Sequence, residues 1–207
     1  MDFARYLIEF ERILNASPGE APYDKPAYLE YTRLNWSRMN RWLKKGELTA
    51  SLQKVITQID RPQRWIIITE PWCGDAAHTV PFIQLAAQLN PLIAIDYELR
   101  DRPPFRINEY LTNGGKSIPK LVIRDEHGTD LATWGPRPEA CQKLYEELKA
   151  ESADFDTLKV ALQKWYNEDR GLSLQAELAA LLEGAAGNPL TSSTQSPAAA
   201  HQGNPRL

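Results

Sequence analysis

The chain has 207 residues, 43% hydrophobic and 25% charged, with 11 Gly and 15 Pro. This is globular composition; it excludes collagenous, wholly disordered and disulfide-framework classes, and two cysteines cannot staple a small secreted scaffold. The formal net charge is −3, from 24 Lys and Arg against 27 Asp and Glu. With no basic stripe along the chain, that balance argues against a nucleic-acid partner.

The N-terminal third reads as helical. Phe3, Tyr6, Leu7, Phe10, Ile13 and Leu14 recur at helical spacing behind Asp2, an N-cap residue. Asp2, Glu9 and Glu11 among them do not suit a signal-peptide core. A second helix is predicted over about 26–45, stopping at Gly46 as a C′ residue. A third follows from Leu48, Leu52, Val55, Ile56 and Ile59. The texture then changes. Arg64-Trp65-Ile66-Ile67-Ile68-Thr69 is a β-branched run of the kind buried parallel strands show. Its aliphatic core is far short of the ~18–20 residues of a membrane span, so no membrane partner is expected and a soluble, cytoplasmic protein is.

Beyond Pro71-Trp72-Cys73-Gly74, Ala76, Val80, Ile83 and Ala87 mark one helical face, and 92–99 alternates as a strand. Residues 104–111 read as helical, closed by Asn113-Gly114-Gly115. Segments 119–123 and 130–134 flank Asp125-Glu126-His127-Gly128 as a hairpin, and a helix follows over about 138–149. The order β-α-β-α-β-β-α is a mixed α/β layer. Phe155, Leu158, Leu162 and Trp165, then Leu174, Leu178, Leu181 and Leu182 after Gly171, give further helices. From Gly184 onward the chain is Ala, Gly, Ser, Thr, Pro and Gln, a composition expected to stay disordered. The expected division is therefore a helical extension over 1–60, an α/β domain over 61–150, a second helical extension over 151–183 and a tail over 184–207.

One constellation carries chemistry: Trp72-Cys73-Gly74-Asp75-Ala76, where a strand hands over to a helix. The helix N-terminus favours a thiolate, the species that attacks disulfides and other electrophiles. Ser117-Ile118-Pro119 lies at the mouth of a later strand. Strand–Trp-Cys-Gly–helix, Pro81 inside that helix, Ile-Pro before a strand, a hairpin, and Gly135 before the last helix together resemble the thioredoxin fold over roughly residues 61–150. Trp72–Ala76, Ser117–Leu121 and Trp134-Gly135-Pro136-Arg137-Pro138 resemble bacterial thioredoxin-family proteins of uncharacterised function. The resemblance implies a cis bond before Pro119, a proline loop facing Cys73, and a groove there for substrate backbone. It marks Cys73 as the catalytic-type residue and Trp72, Gly74, Asp75, Ile118 and Pro119 as substrate-binding.

The departures from that pattern matter equally. Thioredoxins carry Cys-x-x-Cys, whereas Ala76 occupies the second position here, so a mixed disulfide on Cys73 has no resolving neighbour. The buried acid that thioredoxins place six residues before the first cysteine is Ile67. Ordinary dithiol reductase activity is therefore expected to be absent. Asp75 has two readings, a first-turn acid favoured by the helix dipole, or a charge that raises the Cys73 pKa.

The other residues divide similarly. Cys141 reads as structural, and a Cys73–Cys141 disulfide is not expected. His78, one turn on from Gly74, reads as a solvent-facing helix histidine, with Cys–His pairing as the alternative. No Cys or His pair has metal-ligand spacing, so neither metal nor cofactor is expected. Tyr28, Tyr31, Trp36, Met39 and Trp42, with Trp165 and Tyr166, read as core stripes covering one face of the α/β unit; the alternative is a lid beside Cys73. Arg100, Asp101 and Arg137 fit either a salt-bridge network or a site for a carboxylate of a small thiol. Two functions follow. The first is monothiol exchange by Cys73 with a small thiol, protein disulfide or peptide substrate, resolved by an external thiol. The second is a non-catalytic binding module using the proline groove.

Overall fold

A computed structural model describes residues 1–16 and 19–187. Its core is a four-stranded sheet in the order β2-β1-β3-β4, made of β1 (Gln63–Thr69), β2 (Ile93–Leu99), β3 (Lys120–Asp125) and β4 (Asp130–Trp134). β1 pairs with β2 in parallel, β3 runs antiparallel to β1, and β4 closes the β3 hairpin. Trp65, Ile66, Ile67 and Ile68 are all buried, so both faces of β1 are covered. That explains why this strand reads as an unbroken apolar run without alternation. The fold is α/β and thioredoxin-like, with added helices at both ends.

Seven α-helices surround the sheet among the described residues: α1 (Phe3–Asn15), α2 (Pro26–Lys45), α3 (Ala50–Thr57), α4 (Gly74–Ala87), α5 (Glu139–Ala150), α6 (Phe155–Asp169) and α7 (Leu172–Gly187). Asp2 caps α1 by accepting from the Arg5 N–H at 2.8 Å, and Tyr6 of α1 stacks on Tyr97 of β2 with ring centroids 4.9 Å apart. α2 runs along α4: Asn35 donates to the Pro71 carbonyl at 3.2 Å, and the Trp42 indole donates to His78 Nδ1 at 2.9 Å. α7 ties the two ends together. Gln175 accepts from the Thr49 N–H and donates to the Glu47 carbonyl, while Glu177 accepts from the Trp134 indole.

Three expectations change. Residues 104–111 do not form an α-helix; only a four-residue 3-10 turn, Arg106–Glu109, is present. Pro103 and Pro104 offer no N–H groups, and Phe105 takes a left-handed conformation at φ 56°, which interrupts any longer helix. α2 does end at Gly46, but with φ −68°, not the left-handed C′ geometry. Glycine is needed there for space, because a Cβ would collide with the Trp42 carbonyl oxygen at 2.5 Å. The predicted tail begins too early, since Gly184–Gly187 continue α7; Ala185 and Ala186 are good helix formers. The rest of it, 188–207, lies outside the described residues. No helix among the described residues is long and apolar enough to cross a membrane.

Candidate functional site

Cys73 is the N-cap of α4, four residues after the interior strand β1 ends at Thr69. Its Sγ accepts from the Ala76 N–H at 3.5 Å and donates to the Ile118 carbonyl at 3.3 Å. The Ile118–Pro119 bond is cis, and Gly135 packs against Pro119 from the other side. Gly135 sits at φ +107°, and a Cβ there would strike the Pro119 carbonyl oxygen, so only glycine fits.

The sulfur is 6% exposed, and burial pushes the thiol up to about 12, with the Asp75 charge adding to the rise. This corrects the expected thiolate. The Ala76 N–H and the Arg137 charge oppose the shift, but desolvation outweighs the helix N-terminus. The Ile118 oxygen works the same way, because a carbonyl facing sulfur stabilises S–H and not S⁻.

A cavity of about 650 Å³ opens over this sulfur. Trp72, Cys73, Gly74 and Asp75 form its floor, with Ser117 and Ile118 beside them. Pro119 is buried and outside the lining, whereas its neighbours Ser117 and Ile118 line the cavity. The roof comes from outside the α/β unit: Tyr28, Tyr31 and Arg38 from α2, and Phe155, Leu158, Lys159, Leu162, Gln163 and Tyr166 from α6. The Tyr31 hydroxyl rests so close on Gly74 that a Cβ there would overlap it. The aromatic stripes are therefore split. Met39 and Trp42 are core, whereas Tyr28, Tyr31 and Tyr166 line the cavity beside Cys73.

Asp75 is neither a solvated first-turn acid nor a simple thiol tuner. Its carboxylate pairs with Arg137 at 2.7 Å and accepts from the Tyr166 hydroxyl at 2.9 Å. Burial pushes this carboxyl up, against the pull of Arg137 and Tyr166. Arg137 also donates to Gln142 and lies 4.2 Å from the Tyr145 ring centroid, while its Nε is buried without a partner. His78 does not face solvent as expected but is buried, because α2 and α6 pack over α4 and both ring nitrogens find partners there. Nδ1 accepts from Trp42, which places the proton of the neutral ring on Nε2, facing the Gln163 amide oxygen at 3.1 Å. The ring stacks on Tyr166 at 4.5 Å, and burial drives its pKa down to about 3. It makes no hydrogen bond to Cys73. Cys73 and Cys141 are both free thiols.

No acid stands at Ile67. Glu70, three residues before Cys73, is buried, accepts from the Asp101 N–H and is pushed up to about 7 by desolvation. Sequence reasoning missed Arg38, Lys116, Lys149, Lys159 and Gln163 as lining residues. Helical spacing puts Tyr31 and Arg38 seven apart, on one face of α2, but nothing local says what that face meets. Among the described residues no three His, Cys, Asp or Glu side chains gather as a metal site.

Comparison with known proteins bears on the fold. No curated protein matches the chain. Among solved structures, a protein of unknown function from Pseudomonas aeruginosa is similar at 22% identity, over 74% of this chain and 85% of that one, with a TM-score of 0.53. An HIV epitope-scaffold is similar at 20% identity over 88% and 92%, with a TM-score of 0.56. At such identities the likeness is one of fold. A thioredoxin family model matches residues 22–149, well over half of the chain and inclusive of α2 and α3 as well as the sheet. On that match, with the β2-β1-β3-β4 sheet and the cysteine at its strand–helix junction, the chain belongs to the thioredoxin family.

Proposed function

We propose that this protein carries out monothiol exchange: Cys73 attacks the disulfide of a molecule held in the cavity, and an external thiol resolves the product. One observation carries the reading. Cys73 lines a cavity of about 650 Å³, with its Sγ against the Ile118 carbonyl and at a helix N-terminus. The steps balance. The Cys73 thiol gives its proton to solvent, its sulfur bonds to one ligand sulfur, and the other leaves as a thiolate that takes up a proton. A second thiol, acting as its thiolate, then attacks the ligand sulfur of the mixed disulfide, freeing the Cys73 thiolate, which regains a proton, and forming a new small disulfide. Ala76 supplies no thiol for an internal route.

With the resting thiol pushed up to about 12, reactivity in bulk solution is low. Exchange therefore depends on the cavity pressing a disulfide against the sulfur, which replaces thiol acidity with proximity. The same masked thiol favours a second reading, a binding protein in which Cys73 is only part of the wall. Intact-protein mass spectrometry after incubation with a small disulfide separates the two. Exchange predicts one persistent adduct, absent in Cys73→Ser and removed by reductant, together with no insulin reduction unless a small thiol is added. A wild-type protein that takes up no adduct overturns it.

A further inference from the structure

We infer that the cavity selects a small disulfide or thiol that bears two or more anionic groups. The inference rests on the exchange reading and names its substrate class.

The charge of the wall is the main observation. Arg38, Arg100, Lys116, Arg137, Lys149 and Lys159 line the cavity against one carboxylate, Asp75, in a chain whose net charge is −3. Arg100, Arg137 and Lys159 each have a carboxylate partner, on Asp101, Asp75 and Asp156. No salt bridge among the described residues engages the other three. An excess of one charge over low-dielectric walls concentrates counter-charged ligands.

Three of these cations lie over rings that the cavity shares. Arg100 lies over Trp72 at 4.6 Å, Arg38 over Tyr31 at 5.2 Å, and Lys159 near both Phe155 and Tyr31, at 5.0 and 5.7 Å. Aromatic faces pre-position cations without neutralising them. Arg100 and Trp72 thus place a positive group beside the residue that precedes Cys73. The size of the space suits a small molecule: about 650 Å³ falls within the roughly 300–1,000 Å³ of small-molecule sites.

Three disulfides of matched length test the inference: 3,3′-dithiodipropionate, with two carboxylates, 2-hydroxyethyl disulfide, neutral, and cystamine, with two ammonium groups. At low salt, adduct formation on Cys73 should be about tenfold or more faster with the dicarboxylate than with cystamine, and the gap should shrink in high salt. Lys116→Glu with Lys149→Glu reverses two exposed side chains that have no salt-bridge partner. That variant should cut the dicarboxylate-to-neutral rate ratio several-fold at an unchanged melting temperature. Suberate, a dicarboxylate of the same length without sulfur, should bind Cys73→Ser in calorimetry. Equal rates with all three disulfides, with no binding of suberate, overturn the inference while leaving exchange standing. Binding of suberate to Cys73→Ser, with no wild-type adduct from any disulfide, supports the inference and sinks the exchange reading instead.

Discussion

Cys73 and Cys141 are a natural pair to compare. Both are buried, at 6% and 0% exposure. In both, burial is the main cause that pushes the thiol up to about 12, and Asp75 adds to the rise in each. By acidity the two sulfurs cannot be told apart. They differ in what lies over them. Cys73 is part of the floor of the cavity, whereas Cys141, inside α5, contributes nothing to its lining. Access from the cavity is what separates Cys73 from Cys141.

The largest expected effect comes from the ion pair that acts on both sulfurs. Arg137→Ala would leave the Asp75 carboxylate buried without its partner, an arrangement that costs about 3–5 kcal/mol. Urea unfolding should show that loss, and the fall in the midpoint should come with freer labelling of both cysteines. A change below about 1 kcal/mol would mean that the pair is solvated and does not organise the site.

A smaller effect loads the Cys73 side alone. His78 lines the same cavity and is held neutral, its pKa moved from 6.5 to about 3. A folded-state value below the unfolded one means that the stabilisation is complete above the unfolded pKa and is lost as pH falls toward the folded one. Protonation also puts a second N–H against the Trp42 indole donor, breaking the α2–α4 contact. Stability should therefore drop by about 2 kcal/mol between pH 7 and pH 5 from this group. His78→Gln, which cannot titrate, should flatten that slope; an unchanged slope would show that His78 protonates freely in the folded protein.

The two cysteines also show what was legible in the sequence. The strand–Cys–helix junction and the Ile118-Pro119 turn could be read because each depends on local chemistry, a β-branched run, an N-cap and a proline. The cavity wall beside Cys73 could not. It includes Tyr31 and Tyr166, 42 residues before and 93 after Cys73 in the numbering, and periodicity shows that a helix has an apolar face without showing what that face covers. The thiol was misjudged for the same reason: the helix N-terminus is local and readable, whereas the desolvation that overrides it comes from distant elements. Residues 104–111 failed differently. Their apolar spacing suits a helix, but the Pro103-Pro104 pair and the left-handed Phe105 set the backbone there.

The most direct test is the rate of alkylation of each cysteine in the native protein against pH, read by peptide mass spectrometry. The account predicts that Cys73 is labelled and Cys141 is not. The Cys73 rate should climb about tenfold per pH unit through pH 10 without levelling, as a thiol pushed up to about 12 requires. A Cys73 rate that levels near pH 7 would reveal an activated thiolate, and equal labelling of Cys141 would show that the cavity gives Cys73 no special access; either result contradicts the account.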